Sequence, residues 1–134
     1  MRPASDVERR RLNETFARLC AIPSPFGSER ACAEAVAHDL RRMGVSVEED
    51  DAATVAGAEC GNLLARIPGR GDRTILLCAH LDTVPEANPI EPIVDDGAWV
   101  SAGDTILGAD NKAAIAVMLE VARRTAVESS PVGL

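Results

Sequence analysis

Thr74-Ile75-Leu76-Leu77-Cys78-Ala79 runs directly into His80-Leu81-Asp82-Thr83-Val84-Pro85. The first six residues form a continuous apolar run, not an alternation, which predicts a strand buried on both faces of a sheet. His80 and Asp82 then stand just past its carboxyl end, the edge at which open α/β sheets place ligands. If the chain is still extended there, the two-residue period of a strand puts both side chains on one side. A metal-binding imidazole needs its second ring nitrogen held by an acceptor, which fixes tautomer and orientation, and an Asp two residues on can supply it. Taken alone the triplet has little force. His-x-Asp arises often by chance, and a His at a strand end is ordinarily a hydrogen-bonded surface residue.

Downstream, Val94 to Ala102 reads as a hairpin turning through Asp96-Gly97, with Trp99 on its second arm. Ile106-Leu107-Gly108-Ala109-Asp110-Asn111-Lys112-Ala113-Ala114 leads into a strongly helical stretch from Lys112 to Ala126. An Asp at a helix start is ordinarily a cap. A carboxylate there could instead bridge two cations through its two oxygens, and small flanking residues let backbone and metal approach closely. Lys112 is then either a charge behind the site or a first-turn surface residue. The phosphate-loop pattern G-x-x-x-x-G-K-[ST] is absent.

Upstream, Asn62 to Ile67 is a strand candidate stopped by Pro68-Gly69, with Arg70-Gly71-Asp72 as a turn. Residues 49–60 are acidic and small and read as an exposed turn or irregular strand, after a short strand at Val45 to Glu48. Ser28 is the expected cap of a helix whose apolar stripe is Cys32, Ala35, Val36, Leu40 and Met43, ended by Gly44. His38 lies off that stripe and reads as solvated. Ile22 to Gly27 is a loop. Ser5 and Glu8 have capping-box spacing ahead of Leu12, Phe16 and Leu19, in a first helix expected to end before Pro23. Helices alternate with strands, so the class is α/β.

Composition narrows the function classes. The chain has 134 residues, 46 % of them hydrophobic and 2 % aromatic. That is enough for one domain whose core rests on Ala, Val, Leu and Ile. Lys and Arg number 14 against 21 Asp and Glu, a formal charge of -7. This argues against nucleic-acid and anionic-membrane partners, which attract basic patches. No apolar run approaches the roughly 20 residues that span a bilayer. Met1 to Arg11 is charged and lacks the apolar core of a signal peptide. Cys20, Cys32, Cys60 and Cys78 form no C-x-x-C pair. They read as reduced thiols of a cytoplasmic protein, most of them buried.

Together the two motifs resemble the cocatalytic-zinc peptidase family that includes peptidase T, glutamate carboxypeptidase and succinyl-diaminopimelate desuccinylase, and most of all its peptidase-T-like branch. That branch has a strand ending in His-x-Asp-Thr-Val, then an Ile-Leu-Gly-Ala-Asp-x-Lys-Ala helix start. Here His80 and Asp110 are 30 positions apart. Gly61-Asn62-Leu63-Leu64-Ala65, the Asp96-Gly97 hairpin and Asp104-Thr105-Ile106-Leu107 are similar too, so the resemblance spans roughly residues 10–134. It implies an α/β chain, residues 1–134 being the N-terminal part of a zinc-peptidase-like three-layer α/β/α catalytic domain, incomplete and without the lid or dimerisation domain. It implies His80 and Asp110 as metal residues, the second bridging two Zn2+ ions (Co2+ or Mn2+ as alternates). It implies Asp82 as the candidate catalytic residue that orients His80, a cis Asp110-Asn111 bond, and a homodimeric full-length form. The implied reaction is hydrolysis of peptide, tripeptide-like bonds by a metal-activated water, with a glutamate as general base.

The sequence departs from that family where the base is concerned. The family's Glu-Glu pair has no counterpart. After Asp110 the acidic residues are Glu120, within the last helix, and Glu128, expected in the turn beyond it. Two cations at about four ligands each need more than one imidazole and one bridging carboxylate. The 134 residues alone are therefore expected to hold metal weakly and hydrolyse nothing, and to expose a sheet edge and an apolar patch. A non-catalytic α/β remnant or binding module is the alternative from another class. Within the enzyme class, an amidohydrolase acting on N-acyl amino acids stays open.

Overall fold

The structure, a computed structural model, describes residues 2–128 and 130–134. The first helix, α1, spans Asp6–Cys20. Its capping box closes as the sequence requires: the Glu8 amide donates to the Ser5 hydroxyl and the Ser5 amide donates to Glu8 Oε2 at 2.7 Å. Such a cap contributes about 1 kcal/mol. Phe16, Leu19 and Cys20 recur along the buried face.

Helix α2 spans Arg30–Arg42, and its cap position is Glu29, not Ser28. The reason is local. The Ser28 amide donates to the Pro25 carbonyl at 2.9 Å, closing a turn ahead of the helix. Glu29 has helical φ and ψ, and its carboxylate turns back to accept from the Gly27 amide at 2.8 Å. The far end falls where predicted: Gly44 takes φ +79°, the left-handed turn that ends many helices and that glycine adopts without a side-chain clash.

Strand β1 (Val47–Glu49) pairs antiparallel with β2 (Leu63–Ala65), Val47 opposite Ala65 and Glu49 opposite Leu63. Between them residues Ala52–Ala56 form a short helix, α3, where irregular chain was expected. Three of its five residues are alanine, the strongest helix former, and Gly57 caps it at φ +67°. Strands β3 (Pro92–Asp95) and β4 (Ala98–Ser101) make the expected hairpin. Asp96 and Gly97 both have positive φ, as a two-residue turn matched to strand twist demands.

Thr74 to Ala79 departs from expectation. It forms no ladder; Thr74 meets Gly133 in an isolated parallel bridge, and the Ile75 amide donates to the Gly133 carbonyl at 3.0 Å. Leu76 is 82 % exposed. An apolar run becomes a doubly buried strand only within a sheet whose two faces are both covered, and among the described residues only Gly133 reaches this one through a bridge. Its end is nevertheless anchored, because Ala79 and Leu81 pack against the core.

The last helix, α4, spans Ala109–Glu128, so Glu128 closes the helix and does not lie beyond it. Asp110 and Asn111 have non-helical backbone angles, and the peptide bond between them is cis. Regular helix therefore resumes at Lys112. Helix α4 packs along α1 and against α2. Leu19, Cys32, Val36, Ile115 and Leu119 form the main core. Phe16, Cys20 and Ala116 form a second cluster, with Trp99 packed on it. The Phe16 and Trp99 rings meet edge to face with centroids 5.4 Å apart. All four cysteines are free thiols, with Cys78 exposed and the other three buried. His38 is exposed. No helix among the described residues is long and apolar enough to cross a membrane.

Candidate metal centre

His80, Asp82 and Asp110 come together at the surface. His80 Nδ1 lies 3.0 Å from the Asp82 carbonyl oxygen and 3.1 Å from Asp82 Oδ1. A ring nitrogen facing two acceptors carries the proton, so the neutral ring presents its Nε2 lone pair outward. That Nε2 faces Asp110 Oδ1 at 3.2 Å. A lone pair set against a carboxylate is repulsive unless a cation sits between them, a proton or a metal. Desolvation pulls the imidazole pKa down. The hydrogen bond to Asp110, that to Asp82 and both carboxylate charges outweigh it, so His80 holds its proton above its ordinary range.

The same geometry tests the fit to a metal. Two donors on a tetrahedral zinc, each about 2.1 Å from it, lie roughly 3.4 Å from one another. The observed 3.2 Å is close to that spacing, and imidazole nitrogen with carboxylate oxygen is a zinc donor set. The fit stops at two donors. Among the described residues no group of three or more His, Cys, Asp or Glu is arranged to hold a metal ion. Glu120 is committed elsewhere, gripped by Arg11 Nε at 2.8 Å and Nη2 at 2.5 Å. Glu128 pairs with Arg2 at 2.6 Å.

The surroundings explain why the two segments meet. The Ser24 hydroxyl donates to the Leu81 carbonyl at 2.8 Å, and the Thr83 amide donates to the Ser24 carbonyl at 2.8 Å. The Ile106 amide donates to Glu86 Oε2 at 3.1 Å, tying the two motif segments directly. Gly108, at φ +71°, makes the turn before Asp110 against Thr83 and Ile90. Lys112 is no surface residue: it is fully buried, and its Nζ donates to the Ile22 carbonyl at 2.5 Å. Burial pulls its pKa down, partly offset by the Cys32 and Cys20 thiols. Reasoning from the sequence missed Ser24 and Glu86. The signals available were slight: a serine between two prolines, and an acid just past Val84-Pro85.

Comparison with known proteins gives the family. The profile of peptidase family M28 matches residues 62–132. The cytosol non-specific dipeptidase of Escherichia coli is 34 % identical over 90 % of this chain and 26 % of its own length. Among solved structures, aminopeptidase PepT from Bacillus cereus superposes with a TM-score of 0.85 at 35 % identity, over 93 % of this chain and 35 % of that one. A tripeptidase from Staphylococcus aureus gives 0.79 at 32 % identity, over 92 % and 35 %. The chain thus spans about a quarter to a third of the length of these relatives.

Proposed function

Because this chain belongs to peptidase family M28, we propose that it contributes part of the metal centre of a zinc-dependent peptidase acting on short peptides. His80 Nε2 and an Asp110 oxygen serve as cation ligands, and Asp82 positions the imidazole. The observation that carries this is the meeting of Nε2 and Oδ1 at 3.2 Å from segments 30 residues apart. With Nδ1 held by Asp82, the ring cannot rotate without losing two contacts. Bound divalent cations would supply a water of lowered pKa and polarise the scissile carbonyl.

Among the described residues neither Glu120 nor Glu128 is free to act as general base. Glu120 and Glu128 are paired with arginines. These 134 residues then form the N-terminal part of a catalytic domain and turn over no peptide by themselves. A preference for tripeptides is supported by the likeness to the Staphylococcus aureus tripeptidase, and a cytoplasmic setting by the likeness to the cytosol dipeptidase of Escherichia coli.

Calorimetric titration of the chain with zinc tests this, alongside an aminopeptidase assay. Wild-type chain should bind zinc weakly, and His80→Ala should bind it at least about tenfold more weakly. No tripeptide should be cleaved. Equal affinity in the two proteins, or robust turnover by either, would reject the reading.

A further inference from the structure

We propose that the loop Ile22–Pro25 is a clamp that sets the separation of His80 from Asp110, with Ser24 and Lys112 as its positioning residues; this rests on the metal-centre reading above. Ser24 is fully buried, and its hydroxyl and carbonyl are both engaged with one segment. Its hydroxyl holds Leu81 and its carbonyl holds Thr83, the residues on either side of Asp82. Pro25 adds a parallel bridge to Thr83. Two residues before Ser24, the Ile22 carbonyl receives Lys112 Nζ, which stands two residues after Asp110. One short loop therefore grips both ligand-bearing segments, and each grip ends on a backbone atom.

The loop is suited to transmit position. Pro23 and Pro25 fix their own φ and restrict the residue before each. The loop leaves α1 directly, just past Leu19 and Cys20, both wholly buried. Lys112 is a costly choice for packing alone, since a buried ammonium carries a large desolvation penalty and methionine would fill much the same volume. What methionine cannot do is donate to a carbonyl 90 residues away in sequence. Loss of either grip leaves the core intact and frees one ligand segment to drift from the other, and a drift of 1 Å is enough to spoil a pair of donors meant for one cation.

Two near-isosteric variants test the clamp: Ser24→Ala and Lys112→Met. The first readout needs no metal. In isotopically labelled chain at low temperature, the Overhauser contact between the His80 ring protons and the Asp110 β protons should be present in wild type and weakened at least about twofold in each variant, while core methyl shifts of Leu19 and Ile115 stay in place. The second is zinc affinity, expected to fall roughly tenfold, as for other residues that orient ligands. A merely structural role would lower the thermal midpoint and leave the folded-state contact unchanged. Wild-type contact strength in Ser24→Ala overturns the clamp, and that variant decides alone should Lys112→Met not fold. If instead the contact behaves as expected but His80→Ala binds zinc as well as wild type, the metal-centre reading fails and the clamp stands.

Discussion

Between His80 and Asp110 two acceptors converge, and the residue types alone announce that something positive belongs there. That these three residues belong to one site was legible in the sequence only through the family resemblance, since His80-x-Asp82 alone is a common triplet and Asp110 lies 30 positions on. Ser24 and Lys112 were not. They act on backbone carbonyls 57 and 90 positions away, and a carbonyl has no letter of its own in a sequence. Gly61 is a similar case. It stood out only inside the resemblance at Gly61-Asn62-Leu63-Leu64-Ala65, yet the structure gives it a steric reason. A Cβ there would lie 2.1 Å from the Asp50 carbonyl oxygen and 2.6 Å from its Oδ1. Those atoms are held by the neighbouring residue, since the Asn62 amide donates to Asp50 Oδ1 at 2.7 Å and the Asp50 amide to the Asn62 carbonyl at 3.0 Å. Gly61→Ala should therefore cost about 1–3 kcal/mol of stability in urea unfolding. An unchanged midpoint would show that the two segments separate freely.

Elements were legible where their signals are local. The Ser5 box, the Gly44 stop and the Asp96-Gly97 turn each depend on residues within four positions, and each formed. The start of α2 was misread because the cap position falls on Glu29, whose carboxylate turns back to the Gly27 amide, a contact the sequence does not announce. Thr74 to Ala79 was misread for a different reason: burial of a strand belongs to its neighbours. The join between α2 and β1 offers an element-scale test. Arg30 at the head of α2 forks onto Glu49 of β1, both bonds at 2.8 Å, and the Gly61 amide adds a third at 3.0 Å. The Arg30 hydrogen bond, with that of Gly61, lowers the Glu49 carboxyl from 4.5 to about 2. A depressed folded-state pKa means the contribution is present above about 4.5 and is lost as pH falls through about 2. The melting temperature of Glu49→Gln should thus lie below wild type at pH 7, with the gap closing as pH is brought down to about 2. A gap of constant size across that window would assign the effect to packing instead of charge.

At the scale of the whole molecule, the α/β class and the exposed apolar stretch followed from the sequence. Its two ladders are antiparallel pairs. A groove of about 700 Å³ is lined by β2, by residues 75–82, His80 and Asp82 among them, and by Ile115 and Leu119 of α4. Ile75, Leu76 and Leu77 line it and remain substantially exposed. An apolar surface of this kind drives association. Leu76→Lys should raise the concentration at which light scattering begins, while stability stays within about 0.5 kcal/mol; unaltered scattering would place the sticky surface elsewhere. The pairing of α1 with α4 carries one more consequence, and it concerns time. The apolar face of α1 finds its partner only after about ninety more residues have been made, which at roughly 5–20 residues per second takes on the order of 5–20 s. For that interval on the ribosome Phe16, Leu19 and Cys20 have no α4 to cover them, so the nascent chain offers a chaperone the apolar face of α1.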